Sequence, residues 1–365
     1  MWWIAFSTVI ICSLYFVLIS IFYVGWRHIS VFVPKGNELI RTKISVIVAC
    51  RNEEDHIRQL IGCLAQQSNQ NFELIMVNDH SQDATRSYIN MAQETFPKLR
   101  LIDAVGYGKK NAIREGILNS TAELIVTTDA DCLPSYHWLE AIACFYRKYP
   151  SDLIICPVRL SGKDNLFSYL QILEFTTLIA STGGAAGAGM PVLCNGANLA
   201  FKKKVWLDCQ TDLHEEEQSG DDMFLLESVK KKKGVIRFLK SESAFVTTEQ
   251  AGKLDKFIKQ RRRWTSKSSL YTDWQVIFTA CLVLSVNLLL LVLLSLSFFN
   301  AIALIIFLSL FLFKYALDTA FLYSTRNFFQ LNKIWIYSLI LSIFYPFYVV
   351  FISVSILFIK PIAWK

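Results

Sequence analysis

Ile44-Ser45-Val46-Ile47-Val48-Ala49, followed closely by Arg51-Asn52-Glu53, is the stretch that decides the fold of this chain. A short run rich in β-branched residues reads as a strand of a buried sheet, and this one runs out into charge. The pattern then repeats. A helical stretch over Glu53–Gln66 leads to a strand at Phe72–Val77, and one over Ala84–Glu94 leads to a short strand at Leu99–Ile102. A helix over Lys110–Leu118, a strand at Leu124–Thr128 and a helix over Tyr136–Arg147 continue the series. Strands alternating with helices predict an α/β domain with a mostly parallel sheet, where ligands bind at the carboxyl ends of the strands. Those ends carry Arg51-Asn52-Glu53, Asn78-Asp79 and Asp129-Ala130-Asp131. No Gly-x-Gly-x-x-Gly follows the first strand and no Gly-x-x-x-x-Gly-Lys-Ser/Thr occurs, which argues against a dinucleotide site and a P-loop.

Outward from this core the chain turns apolar. Of its 365 residues 53% are hydrophobic and 18% charged, against about 45–50% and about 25% in an ordinary soluble domain. So much apolar side chain excludes a disordered protein. The charges gather mid-chain, which excludes a bundle made of spans alone. A net charge of +7 is the modest excess expected beside a bilayer rather than on nucleic acid. Crossing about 30 Å of hydrocarbon takes about 20 helical residues. Trp2–Trp26 carries no charge, Trp274–Phe313 is an uncharged run of 40 that fits a hairpin near Asn300, and Ile334–Ile359 is uncharged with Pro346 as a kink. Four spans are expected, near 3–25, 275–298, 301–323 and 335–358.

The first span has no basic residue before it and Arg27, His28, Lys35, Arg41 and Lys43 after it. That order predicts an uncleaved anchor at residues 1–26 with its C-terminal side in the cytosol. The basic run Lys256–Lys267 and the pair Arg326 and Lys333 fit the same topology, with both termini outside. The domain, placed at 43–267, is therefore expected on the cytosolic face of a bacterial inner or plasma membrane. Phe175–Phe201 is also uncharged but holds Gly183, Gly184, Gly187, Gly189, Gly196 and Pro191. Glycine costs about 1 kcal/mol per helical position, so a buried or interface-lying loop is expected there. Lys314 and Asp318 lie one turn apart within the third span, as a self-neutralising pair or a lipid head-group contact. Nine cysteines, with no Cys-x-x-Cys, form neither a disulfide framework nor a zinc ribbon and suit a reducing compartment.

Several carboxylates could carry chemistry. Asp129 and Asp131, two apart on an extended segment, point to one side. Oxygen donors with little nitrogen or sulfur nearby suit Mg2+ or Mn2+ shared with phosphates, although acidic turns at strand ends look the same. Asp79 reads equally as the start of an Asx turn and helix cap. Asp221 and Asp222 either favour the N-terminus of a helix over Met223–Val229 or supply a general base with raised proton affinity. In Gln260-Arg261-Arg262-Arg263-Trp264 the arginines are topology signals or diphosphate partners, and the tryptophan an interface anchor or a stacking wall. Lys230–Lys233 reads as a solvated or lipid-facing patch. No interleaving of aromatic and basic residues marks a stacking platform, so no nucleic-acid partner is expected.

Asp79, Asp129-x-Asp131, Gly220-Asp221-Asp222 and Gln260-x-x-Arg263-Trp264 occur in this order in a domain bracketed by spans. The set resembles the membrane-bound inverting family-two glycosyltransferases, a group that includes ceramide glucosyltransferases, hyaluronan synthases and cellulose synthases. The resemblance covers about residues 43–267 and implies a GT-A-type nucleotide-sugar-binding domain. It implies that Arg51, Glu53 and Asp79 hold base and ribose, and that Lys109 of Gly108-Lys109-Lys110-Asn111-Ala112 approaches the nucleotide. Asp131, with Asp129, would hold the metal, and Asp222 would be the base. Gln260, Arg263 and Trp264 would close over the donor diphosphate, and Asn195, Gly196 and Asn198 with Asp221 would form the acceptor side. Four spans, and Val192-Leu193-Cys194-Asn195-Gly196 in place of an aromatic segment, depart from the processive synthases and look more like the ceramide glucosyltransferase plan. The implied function is inverting, metal-dependent transfer from a UDP-sugar to a membrane lipid hydroxyl. A processive polysaccharide synthase and a non-catalytic membrane scaffold are the rival expectations.

Overall fold

The computed structural model describes residues 2–35, 42–210 and 220–358. Arg41 of the basic cluster and Ile359 of the last uncharged run lie outside the described residues. Helix α1 (Trp2–His28) opens the chain, and the alternating series follows as β1 (Ile44–Cys50), α2 (Ile57–Ala65), β2 (Phe72–Asn78), α3 (Thr85–Thr95), β3 (Leu99–Asp103), α4 (Lys109–Leu118) and β4 (Leu124–Asp129). Next come β5 (Cys132–Pro134), α5 (Trp138–Lys148), β6 (Leu153–Ile155), β7 (Val158–Ser161), α6 (Leu166–Gly187), β8 (Leu199–Lys202), α7 (Lys203–Cys209), α8 (Asp221–Lys231), β9 (Ile236–Phe238) and β10 (Val246–Glu249). The remaining helices are α9 (Leu254–Thr265), α10 (Trp274–Ser297), α11 (Ala301–Phe329) and α12 (Ile334–Phe358).

Two compact units result. In the sheet unit seven strands run in the order β3-β2-β1-β4-β8-β6-β9, with a second sheet β5-β10-β7. The stretch β3-β2-β1-β4 is parallel throughout, and β8 runs antiparallel to both β4 and β6. Every residue of β1 is buried, as a strand covered on both faces requires. Its one hydroxyl is satisfied: Ser45 Oγ donates to Glu73 Oε1 at 2.5 Å.

Helices α1, α6 and α9 to α12 form the other unit. Residues 162–192 and 250–267, which the sequence reading ran into one domain over 43–267, group here because α6 packs on α1 and α9 on α12. Among the described residues four helices are long and apolar enough to cross a membrane: Ala5–His28, Trp274–Ser297, Ala301–Phe329 and Ile334–Ile356. They overlap the uncharged runs, with Ala301–Phe329 continuing past Phe313 through Lys314, Asp318 and Arg326, and large apolar side chains such as Phe16, Ile305, Phe344 and Phe351 face outward from them. A surface of that kind is what a lipid environment covers.

The loop expected over Phe175–Phe201 is corrected. Most of its first half is helix α6, capped by Asn165, whose side chain accepts from the Ser168 N–H at 2.9 Å. The glycines that argued against a helix permit close packing instead. A Cβ on Gly25 of α1 would collide with the Gly184 carbonyl oxygen, and one on Gly184 with the Phe22 carbonyl oxygen. Backbone-to-backbone approach of this kind offsets the propensity cost. Lys314 and Asp318 form an ion pair at 2.5 Å, with Asp318 also accepting from Tyr15 Oη at 2.7 Å, so the charges neutralise each other inside the unit.

Candidate active site

Register builds the site. Cys50 pairs with Asn78 and Ala49 with Asp129, so Arg51, Asp79 and Asp131 all follow strand ends on one edge of the parallel sheet. Because β8 is antiparallel to β4, with Thr127 opposite Leu199, the turn Gly196–Asn198 arrives at that same edge. Thr127 Oγ1 fixes it by donating to the Gly196 carbonyl at 2.8 Å.

Asp79 is fully buried and ringed by donors. Its Oδ2 accepts from the Gly108 N–H at 3.0 Å and from Arg51 Nη1 at 3.4 Å, while His80 Nδ1 lies 3.1 Å from Oδ1. Gly108 adopts φ +94°, a conformation suited to glycine, and opens α4 directly. Lys109, the first residue of that helix, can therefore reach Asp129 Oδ1 at 2.5 Å. The loops after β1 and β2 brace each other: Glu53 N–H donates to Thr85 Oγ1 at 2.7 Å, and Gln82 N–H to Asn52 Oδ1 at 2.9 Å. The Glu53 carboxylate meets His56 of its own loop at 3.2 Å, so its observed part is to shape that loop.

Asp129, Asp131 and Cys132 offer three ligand atoms within 4.8 Å of one another. The sequence reading expected little sulfur here, yet Cys132 Sγ lies 3.6 Å from Asp131 Oδ1. Burial, then the charges of Asp129 and Asp131, push that thiol well above its usual range, and sulfur is a soft donor ill-matched to Mg2+ or Mn2+. Two carboxylates remain, which fit a hard divalent ion. With Asp129 already paired to Lys109, Asp131 is the carboxylate better placed to bind one.

Asp222 stands in the first turn of α8. Its Oδ2 accepts from the Gly196 N–H at 2.8 Å and its Oδ1 from the Met223 N–H at 2.9 Å. Burial is the main reason its carboxyl is raised above the usual 3.8, with Asp129 adding to the effect; the Gly196 N–H, Lys109 and the Met223 N–H oppose it. A half-buried carboxylate with raised proton affinity, within electrostatic reach of a lysine–aspartate pair, is equipped to accept a proton.

The residues expected on the acceptor side are themselves tied into the fold. Asn198 is fully buried: its Nδ2 donates to Pro157 and Ala244 carbonyls at 2.7 and 2.8 Å, and its Oδ1 accepts from Trp138 Nε1 at 2.8 Å. Both amide hydrogens and one lone pair of the oxygen are thus engaged inside the fold, which gives Asn198 a scaffold role. Asn195 caps the turn by accepting from the Ala197 N–H at 3.0 Å. Asp221 lines a separate hollow with Lys110, Arg114, Trp206 and Gln210.

Residues 45–205, which carry most of this arrangement, match the model of Glycosyl transferase family 2. This stretch is a family-two glycosyltransferase domain. The chain is 30% identical over 133 residues to "Probable glycosyltransferase YdaM" of Bacillus subtilis (strain 168), covering 33% of this chain and 30% of that protein. It is 24% identical over 204 residues to "Poly-beta-1,6-N-acetyl-D-glucosamine synthase" of Staphylococcus aureus (strain MSSA476), covering 54% of this chain and 49% of that one. The matches thus span about a third to a half of the length of these curated relatives. A solved mannosyltransferase, PcManGT from Pyrobaculum calidifontis in complex with GDP-Man and Mn2+, shares the fold with a TM-score of 0.57 at 18% identity over 97% of both chains.

The last three expected residues, Gln260, Arg263 and Trp264, stand on α9 in the helical unit. Arg263 is partly exposed and Trp264 is 37% exposed, while Gln260 Oε1 accepts from Arg261 Nη1 at 3.0 Å. Sequence reasoning missed Arg261, which is buried against Glu174, and the ring stack of His80 on Tyr107 beside Asp79, centroids 4.0 Å apart. Only the run of three arginines hinted at the first, and nothing in the sequence marked the second.

Proposed function

We propose that this protein transfers a sugar from a nucleotide-sugar, a UDP-sugar, to a hydroxyl of a membrane lipid, with inversion at the anomeric carbon. The observation that carries the reading is Asp222: a half-buried carboxylate of raised proton affinity, held by the Gly196 N–H at the ligand edge of a family-two domain. In the proposed reaction Asp222 takes the proton of the acceptor hydroxyl while the oxygen attacks the anomeric carbon. The bond to the diphosphate breaks on the opposite face, so an α-linked donor gives a β-linked product. Asp131, with Asp129, would hold a Mg2+ or Mn2+ ion, which supplies positive charge to the diphosphate. Arg51 and Asp79 are proposed to hold the nucleotide, Lys109 to stand at the phosphates, and Gln260, Arg263 and Trp264 to bear on the leaving diphosphate. GDP-Man and Mn2+ in a protein of the same fold are in keeping with this.

The lipid acceptor is supported by distance along the chain. Trp264 stands ten residues before Trp274, where the next apolar helix starts, so the motif helix is tied close to a bilayer surface. The topology proposed with it puts the catalytic domain in the cytosol and both termini outside. A second reading, extension of a polysaccharide, is favoured by the names of the staphylococcal relatives. Product length separates the two. Purified protein given a labelled nucleotide-sugar and a lipid extract should yield one sugar on one lipid; a ladder of oligomers would favour the second reading.

A further inference from the structure

Helix α9 carries a second charged group, buried on another face from Gln260 and Arg263. Phe257, Arg261 and Trp264 follow at i, i+4 and i+7, one stripe of the helix. On that stripe the Arg261 guanidinium lies 4.7 Å from the Phe257 ring centroid and 4.3 Å from that of Trp264. Arg261 is 3% exposed and Glu174 of α6 is 5% exposed. Arg261 Nε donates to Glu174 Oε1 at 3.2 Å, Nη2 donates to Glu174 Oε2, and Nη1 donates to Gln260 Oε1 at 3.0 Å. Tyr348 Oη of α12 donates to Glu174 Oε1 at 3.3 Å.

A buried ion pair is poor value as a stabiliser, because desolvating both ions cancels most of their attraction and an apolar pair of similar volume serves folding as well. What an apolar pair lacks is direction. A guanidinium fork fixes the angle at which α9 meets its support and holds two side chains of the motif, Gln260 by hydrogen bond and Trp264 by ring contact. We propose that Glu174 is a positioning residue for the Gln260–Arg263–Trp264 motif, acting through Arg261. The proposal rests on the reading of that motif as a binder of the donor diphosphate.

The decisive variant is the double substitution Glu174→Leu/Arg261→Met, compared with Glu174→Gln and Glu174→Asp in the full-length protein in detergent. Initial rates are taken with the best donor among UDP-glucose, UDP-N-acetylglucosamine and GDP-mannose. The double variant should fold, with a melting temperature at or above the wild type, yet lose about 10- to 100-fold in kcat/KM for the donor, the scale of loss when a positioned group shifts by about an ångström. The loss should fall on donor KM and kcat with acceptor KM unchanged, and Glu174→Asp should recover part of it where Glu174→Gln does not. A folded double variant with wild-type kcat/KM overturns the proposal. Should that variant fail to fold, Glu174→Gln with unchanged donor KM and kcat overturns it equally. A wild-type protein that releases no nucleoside diphosphate from any of the three donors defeats the underlying reading instead, and this inference with it.

Discussion

Asp222 is the residue on which the proposed chemistry turns. Removing its charge as Asp222→Asn should lower turnover by about 10²–10⁴, with nucleotide affinity retained when measured by calorimetry. Its raised proton affinity fixes the sign of the pH dependence. The working form is ionised, so kcat/KM should fall with decreasing pH at a value above the 3.8 of an unperturbed aspartate, and that acid limb should vanish in the residual activity of Asp222→Asn. For stability the sign is the reverse: the fold holds this proton more tightly than the unfolded chain, so Asp222 costs stability as pH rises from 3.8 through its folded value. At Asp131, chelation of divalent ions should abolish transfer and added Mn2+ or Mg2+ should restore it, with Asp131→Asn needing more metal for half-maximal rate. The acidic positions were legible because a strand followed by carboxylates is a local pattern. The scaffold contacts of Asn198 were not legible because its partners, Trp138, Pro157 and Ala244, are 60, 41 and 46 residues away and no local pattern reveals them.

At the scale of elements, the parallel strands could be read because each is a short apolar run with its own turn, and register then follows from burial of both faces. Helix α6 could not. Its glycines weigh against a helix when judged locally, and the compensation comes from α1, more than a hundred residues earlier in the chain. Two magnitudes compete at Gly184. Alanine gains about 1 kcal/mol of helix propensity, but its Cβ meets the Phe22 backbone, which cannot rotate away as a side chain would. Overpacking against such a neighbour costs about 1–3 kcal/mol. Gly184→Ala should therefore lower the melting temperature in detergent, and Gly25→Ala should do the same. A higher melting temperature in either variant would mean the two helices do not depend on this contact.

For the whole molecule, the four apolar helices and the basic residues after α1 carry a topological expectation. A cysteine introduced at Lys35 in a background without the nine native cysteines should react with a membrane-impermeant maleimide from the cytosolic side of inverted vesicles and stay unlabelled in intact cells. The central claim joins that topology to the carboxylate-lined edge of the sheet: a nucleotide-sugar is held there and its sugar passes to an acceptor hydroxyl with Asp222 as base. The most direct measurement incubates purified wild-type protein and Asp222→Asn with labelled UDP-sugars, Mn2+ and membrane lipid, and reads both released UDP and the anomeric configuration of the product by NMR. The account requires UDP release and a β-linked glycolipid from the wild type, with turnover all but lost in the variant. An α-linked product, or a variant as active as the wild type, would contradict it.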